Sequence, residues 1–228
     1  MQESGSIYAE GRARLADLVV AADPEGTTSP VPGCPQWAVK DVMAHVAGVC
    51  ADVLAGNLDG VATEPWTAAQ VAGRKDKSLA EILEEWSEVA PQVEAMAPAF
   101  PARVDEQWIL DLTTHEQDIR GALDCPGARN SAGVLVGVDF AATMGLAGSI
   151  DARRLPPLRV KAGEVEWVLG EGDPAASVEG PPFELFRALT GRRSEAQVRA
   201  LRWEGDVDVF VPAFEFGPFT FPAADLVE

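Results

Sequence analysis

Cysteine is scarce in this chain of 228 residues, and its spacing excludes two structural roles. The three cysteines, Cys34, Cys50 and Cys125, form an odd set that contains no Cys-x-x-Cys pair. A disulfide framework or a thiolate metal cluster would need paired or closely spaced cysteines. The sequence therefore predicts a fold without disulfide bonds in a reducing compartment.

Positive charge is also scarce. Lysine and arginine together number 18 against 36 aspartate and glutamate residues, which gives a formal net charge of −18 at pH 7. A negative field of this size repels phosphate backbones and anionic lipid head groups. We therefore expect no nucleic acid and no membrane partner, and solubility is the simplest reason for the acidity.

A secretory signal and a long apolar run are missing from the sequence. The first twenty residues lack the basic start, the apolar core and the small-residue cleavage site of a signal peptide. No uninterrupted apolar stretch reaches the length of about 18 residues that a membrane span requires. These absences predict a cytoplasmic protein. The hydrophobic fraction of 47% is that of an ordinary globular chain.

Helical patterns fill the chain to about residue 154. Proline and glycine separate five predicted helices, at about 6–22, 38–53, 78–97, 104–123 and 132–153. Ser78 and Glu81 have the capping-box spacing at the start of the third helix. Long helices with short connections predict a mainly α protein built on an antiparallel four-helix bundle.

The pattern changes at Leu155-Pro156-Pro157, where we place a boundary between domains 1–155 and 156–228. Apolar and polar residues alternate on both sides of Ala162-Gly163, which predicts a β-hairpin with one buried face. Residues 181–191 predict a short helix, and 200–211 predict further strands. The second domain is therefore expected to be a small α+β unit.

The two histidines of the chain, His45 and His115, both lie at the edge of an apolar helical stripe. Asp111 precedes His115 by four residues, so the two side chains share a helix face and can converge on one ion. With His45 from the second helix they supply three ligands, the number that leaves a catalytic zinc one open position. The plainer alternative is that each histidine borders the core and forms only local hydrogen bonds.

Two acidic neighbours of His115 have open roles. Glu116 falls on the apolar arc, where a bare carboxylate is costly unless it is paired or metal-bound, so it is either a substitute metal ligand or a side chain that snorkels at the domain interface. Asp118 is either a carboxylate that orients an imidazole or one member of an exposed ion pair. Trp37 is expected to pack at the entry to the second helix, and Cys34 to be an inert loop thiol.

Two segments carry a resemblance to a known family. GCPQWAVKDVMAHVAG resembles the second-helix motif of the DinB-like, mycothiol-dependent maleylpyruvate isomerase family, and LDLTTHEQDIRGAL is similar to its metal-binding fourth helix. Residues 173–206 are similar to the small sterol-carrier-protein-like domain that follows the bundle in that family. The resemblance thus spans nearly the whole chain.

The resemblance implies a DinB-like bundle in which His45, Asp111 and His115 bind a divalent metal, most simply zinc. It also implies that the metal activates the mycothiol thiol for attack on a small electrophile, in an isomerase or an S-transferase. Asp111 departs from the family, which often has glutamate at that position. Arg192, Arg193 and Arg120 are the candidate catalytic cations for an anionic substrate.

Two other function classes remain open at this stage. The chain could be a non-catalytic module that binds a small molecule in an apolar cleft, with a structural metal or none. It could also be a metal-dependent hydrolase of thiol conjugates, in which a metal-bound water replaces the thiol as the nucleophile. In each case we expect a monomer or a homodimer.

Overall fold

The computed structural model describes residues 3–23 and 25–228, and the chain divides into two compact units. Unit 1 extends to Gly127 and includes Glu228, and unit 2 runs from Ala128 to Val227. Unit 1 contains α1 (Ser4–Ala21), α2 (Val39–Ala55), α3 (Glu64–Arg74), α4 (Leu79–Met96) and α5 (Val104–Ala122). The expected mainly helical bundle is confirmed.

The bundle core forms where apolar stripes of the long helices meet. Trp108, Leu112 and Ile119 of α5 are buried, as their spacing predicts. Tyr8 of α1 stacks on Trp108 with ring centroids 3.5 Å apart. At the start of α4 the capping box forms as expected, because Ser78 Oγ accepts from the Glu81 backbone N–H and the Glu81 carboxylate accepts from the Ser78 backbone N–H.

Two elements of unit 1 are missing from the sequence analysis. Strands β1 (Pro30–Val31) and β2 (Cys34–Ala38) form a short antiparallel pair directly before α2. Helix α3 buries only Trp66 and Gln70. A helix that buries one aromatic and one amide side chain lacks the repeated apolar positions by which amphipathic helices are recognised.

Unit 2 begins with a long helical rod. It consists of α6 (Ala132–Phe140), a π-helical segment Ala141–Leu146 and α7 (Ala147–Ala152). A sheet follows, built from β3 (Leu158–Ala162), β4 (Val165–Leu169), β5 (Ala176–Gly180) and β6 (Arg202–Glu204) in the order β4-β3-β5-β6. Strands β3 and β4 form the predicted hairpin, with Ala162 opposite Val165. Strand β5 runs parallel to β3, and β6 antiparallel to β5.

The remaining elements of unit 2 are short helices. Helices α8 (Pro182–Leu189), α9 (Glu195–Arg199) and α10 (Val207–Phe210) lie on either side of β6 in the chain. The expectation of strands throughout 200–211 is wrong after Glu204. Asp206 caps a helix there, because its carboxylate accepts from the Asp208 backbone N–H. The alternation in VDVFV resembles a strand, but the cap decides in favour of a helical turn.

The boundary between the units lies earlier in the chain than the expected division after residue 155. The expected fifth bundle helix is the α6–α7 rod, which belongs to unit 2 and packs on α8. Gly137 permits this contact, since a Cβ at that position would lie 2.6 Å from the Phe186 ring. A change from helical to strand patterns therefore did not mark the edge of a compact unit, because the rod's apolar face packs within unit 2.

By length and composition alone, the rod Ala132–Ala152 could cross a membrane, although polar residues interrupt its apolar sequence. About half of it is buried in the chain, and a core helix of a water-soluble protein passes the same test. Asp139 within the rod accepts a 2.9 Å hydrogen bond from the Trp167 indole of β4. The rod is therefore weak evidence for a membrane span.

Two glycines of unit 1 give a matched test of helix packing. A Cβ at Gly5 of α1 would lie 2.2 Å from the Glu94 carbonyl oxygen of α4, whereas a Cβ at Gly73 of α3 meets no atom within 4 Å. We expect Gly5→Ala to lower the free energy of unfolding by about 1–3 kcal/mol, because the backbones of α1 and α4 must move apart to make room for the methyl group. Gly73→Ala should raise it by up to about 1 kcal/mol through helix propensity. Urea denaturation of the two variants measures both changes in the free energy of unfolding. Equal changes would contradict the close contact of α1 with α4 at Gly5.

Candidate metal centre

Three side chains from α2 and α5 converge at one point in unit 1. His45 Nε2 lies 3.3 Å from Asp111 Oδ1, and His115 Nε2 lies 3.7 Å from the same oxygen. One ligand atom from each of the three residues lies within 4.8 Å of the other two. Both imidazoles are buried, while about a third of the Asp111 side chain is exposed. The Asp111 side chain, although shorter than a glutamate, therefore reaches both imidazoles. The three residues predicted as ligands come together in the structure.

Each imidazole is held through its other nitrogen. His115 Nδ1 lies 3.2 Å from Asp118 Oδ2, and His45 Nδ1 lies 2.7 Å from Gln70 Oε1. An acceptor at Nδ1 favours a proton on that nitrogen and leaves the Nε2 lone pair for a ligand role. Of the two roles considered for Asp118, orienting an imidazole is the one that its contact supports.

Trp37 of β2 lies beside both histidines. Its ring centroid is 5.2 Å from the His45 ring and 6.0 Å from the His115 ring, and both pairs are tilted. The indole is only partly buried. Trp37 therefore does more than pack at the entry to α2, because it forms an apolar wall of the site.

The electrostatics of the site favour a positive charge between the ligands. Burial by itself lowers the pKa of His45, but the Asp111 carboxylate and the Gln70 hydrogen bond outweigh it, so the pKa is raised above its ordinary value of 6.5. Two imidazole lone pairs and a carboxylate oxygen that face each other repel unless a cation lies among them. A proton on His45 or a metal ion can supply that charge.

The donor set fits a divalent metal. Two imidazole nitrogens and one carboxylate oxygen form a ligand set of catalytic zinc, and such a set leaves a position for a further ligand. Comparison with known protein families gives one match, to the mycothiol maleylpyruvate isomerase N-terminal domain over residues 8–123. That range covers just over half of the chain and includes all three converging residues. The chain belongs to this family.

The match begins within α1, at residue 8, and covers α2 to α5, so the bundle is the part of the chain that matches the family. Comparison with curated proteins and with solved structures gives no match. The family name connects the bundle with the thiol mycothiol and with a small-molecule substrate.

Glu116 is not part of the converging set. Its carboxylate is 1% exposed and binds the Arg14 guanidinium through two hydrogen bonds of 2.9 and 2.8 Å. Arg120 adds a contact of 3.0 Å from the next helical turn. Neither role considered for Glu116 is correct, because it is a buried ion-pair partner that ties α1 to α5.

The proposed catalytic arginines have partners elsewhere in the fold. Arg120 binds Glu116 and donates to the Cys125 carbonyl oxygen. Arg192 and Arg193 lie in unit 2 after α8, where Arg192 Nη1 donates to the Thr190 carbonyl and Arg193 binds Glu184. None of these contacts involves the three converging residues. A direct role of Arg120 or Arg192 in the reaction stays a prediction.

Cys34 forms a second grouping beside the first. Its thiol donates to Asp118 Oδ2 at 3.3 Å, and Cys34, Asp118 and His115 place ligand atoms within 4.8 Å of one another. These distances also fit a chain of hydrogen bonds that runs from Cys34 through Asp118 to His115 Nδ1, with no metal ion. A carboxylate can accept hydrogen bonds from both neighbours, so this grouping needs no cation. We therefore interpret Asp118 as the acceptor that Cys34 and His115 share.

Gln70 is the site residue that the sequence analysis missed. It lies on α3, 25 residues after His45, and its buried side chain connects His45 with Asp52 of α2. Gly48 gives it room, since a Cβ there would lie 2.6 Å from the Gln70 Cβ. Gly48, one helical turn from His45, is the only signal for this contact that we find in the sequence. A glycine there indicates a close approach but does not say which side chain fills the space.

The raised pKa of His45 predicts a dependence of stability on pH in metal-free protein. Below the unfolded pKa near 6.5 the interaction of protonated His45 with Asp111 contributes fully to stability, and it is lost as pH rises through the folded pKa. The free energy of unfolding of wild type relative to Asp111→Asn should therefore fall with rising pH. Urea denaturation of both proteins in the presence of a chelator, from about pH 5 to about pH 9, measures this difference across the range in which histidine titrates. A difference that is constant or rises with pH contradicts the assignment.

The Glu116 ion pair predicts a structural effect separate from the site. Glu116→Gln should lower the free energy of unfolding by about 1–3 kcal/mol, because Arg14 and Arg120 lose a charged acceptor. Glu106→Gln is the matched control on α5, since its carboxylate pairs with Arg103 at a position where both side chains are about 30% exposed. Thermal unfolding compares the two variants. An equal, small effect would show that the buried pair is not important for stability.

Proposed function

We propose that the chain is a divalent-metal-dependent enzyme that uses mycothiol against a small electrophile, as an isomerase or an S-transferase. The observation that supports the proposal is the convergence of His45 Nε2, His115 Nε2 and Asp111 Oδ1, with both Nδ1 atoms engaged elsewhere. Three protein ligands match the number at catalytic zinc sites. Membership of a family named for a mycothiol-dependent isomerase adds the thiol.

His45, Asp111 and His115 would hold the metal, for which zinc is our first choice. When bound there, the metal would lower the pKa of a thiol ligand, so that a thiolate is available near neutral pH. Asp118 and Gln70 orient the two imidazoles, and Asp118 also accepts from the Cys34 thiol. The partly exposed Asp111 marks the side of the set that is open to solvent, and Trp37 provides an apolar surface next to both imidazoles.

The choice between isomerase and S-transferase depends on the fate of the thiol adduct. An isomerase expels the thiol after rotation about the attacked bond, whereas a transferase releases the adduct as product. Both outcomes use the same ligands, so the electrophile is selected by the rest of the pocket. Cys34, Cys50 and Cys125 form no disulfide bond with one another, which agrees with a reducing cytoplasm, where we place the reaction.

Metal content tests the first half of the proposal. Purified full-length chain is expected to retain about one equivalent of zinc, as a three-ligand site with an open position should. His115→Ala should lose the metal and keep its circular dichroism, because the ring lies at the edge of the bundle core. Glu106→Gln on the same helix is the control and should keep the metal. Wild-type protein without stoichiometric metal would favour a non-catalytic binding module instead.

Thiol dependence tests the second half. The metal-loaded chain should convert a conjugated electrophile such as a maleyl compound only when mycothiol is present. Omission of the thiol should abolish turnover. Activity that is unchanged without any low-molecular-weight thiol contradicts the proposal and favours a metal-dependent hydrolase.

A further inference from the structure

The Gln70 amide lies between a histidine and a carboxylate, with little exposure to water. The residue is 3% exposed. Its Oε1 lies 2.7 Å from His45 Nδ1, and its Nε2 donates to Asp52 Oδ2 at 2.7 Å. The other Asp52 oxygen accepts from Asn57 Nδ2 at 2.9 Å. A chain of hydrogen bonds thus runs from Asn57 through Asp52 and Gln70 to His45.

The direction of this chain follows from the chemistry of its members. A carboxylate accepts hydrogen bonds and donates none, so the amide must turn its NH₂ group toward Asp52. The carbonyl oxygen of Gln70 then necessarily faces His45. Because that oxygen also only accepts, His45 Nδ1 must carry a proton. The order of donors along the chain therefore depends on Asp52 and not on how the amide happened to be placed.

We propose that Gln70 is a positioning residue that, held by Asp52, fixes the Nδ1–H tautomer of His45 and leaves Nε2 as its one ligand atom. Its value for metal binding rests on the function proposed above, but the tautomer itself does not. Asp52 acts one step further out, by holding the amide in a single orientation.

The fold holds Gln70 firmly in place. The Arg74 Nη1 donates to the Gln70 carbonyl oxygen at 3.1 Å, and the same guanidinium forms two hydrogen bonds with Glu85 of α4. Gly48 leaves the space that the Gln70 side chain fills. Helix α3 is therefore fixed to both α2 and α4 at the turn that carries the amide.

The two histidines of the site consequently have different supports. His115 faces the carboxylate of Asp118, which adds negative charge next to the ring, whereas His45 faces a neutral amide. A glutamate in place of Gln70 would put a second negative charge beside the Asp52 carboxylate and near the Asp111 carboxylate. An amide gives the orientation without that repulsion, since it accepts on one side and donates on the other.

Nitrogen NMR of the full-length chain tests the proposal directly, because the protein has two histidines and hence two imidazole spin systems. In chelator-treated, ¹⁵N-histidine-labelled wild type above the pKa of His45, we expect the proton of His45 on Nδ1. Gln70→Ala should move it toward Nε2, the nitrogen that free histidine protonates preferentially. Zinc affinity, measured by competition with a chelator, should fall about 10- to 100-fold.

A reciprocal exchange and a matched control complete the test. The double variant Gln70→Glu with Asp52→Asn keeps an acceptor at Nδ1 and a donor behind it, so it should restore both the tautomer and most of the zinc affinity. Gln117→Ala removes another buried glutamine, which donates to the Gly127 carbonyl, and should leave the His45 signal unchanged. A wild-type His45 protonated on Nε2, or an Nδ1 proton that persists in Gln70→Ala, would overturn the proposal. A chain that shows the expected tautomer shift but binds no zinc refutes the proposed function and leaves the positioning role intact.

Discussion

The site depends on one electrostatic constraint, the meeting of three electron-pair donors at a single point between α2 and α5. His45 and His115 present Nε2 toward Asp111 Oδ1 at 3.3 and 3.7 Å, while their Nδ1 atoms face other acceptors. A positive charge, whether a proton on His45 or a bound cation, stabilises such a set. The raised pKa of His45 expresses the same requirement in the absence of a metal. The bundle therefore brings together three side chains that could hold a cation, within a strongly acidic chain.

The surrounding structure keeps this charge requirement local. Two other carboxylates of the bundle have arginine partners: Glu116 pairs with Arg14 and Arg120, and Glu94 pairs with Arg12. Buried carboxylates with such partners need no further cation. The Asp111 carboxylate lies beside two imidazoles, and about a third of its side chain faces solvent. A cation held in the bundle would therefore be expected among these three residues rather than at the paired acids.

The elements that fix the histidines come from three places in the chain. Helix α3 supplies Gln70, α5 supplies Asp118 itself, and the β1–β2 pair supplies Cys34 and Trp37. Apolar periodicity does not reveal α3 or the short strands β1 and β2, and these elements complete the surroundings of the candidate metal centre. Polar positions with a tertiary partner look like loop residues in the sequence, because their burial is paid for by contacts distant in the chain.

The sequence by itself determined the long helices, the hairpin of β3 and β4, and the three converging residues. These follow from local physics, since helical and strand periods, the capping box at Ser78 and the four-residue spacing of Asp111 and His115 are set by backbone geometry. Only the tertiary structure decided that Glu116 pairs with Arg14, that the Ala132–Ala152 rod belongs to unit 2, and that Gln70 supports His45. Each of these rests on a contact between residues far apart in the chain, and a local pattern carries no record of which distant side chain fills the space beside it.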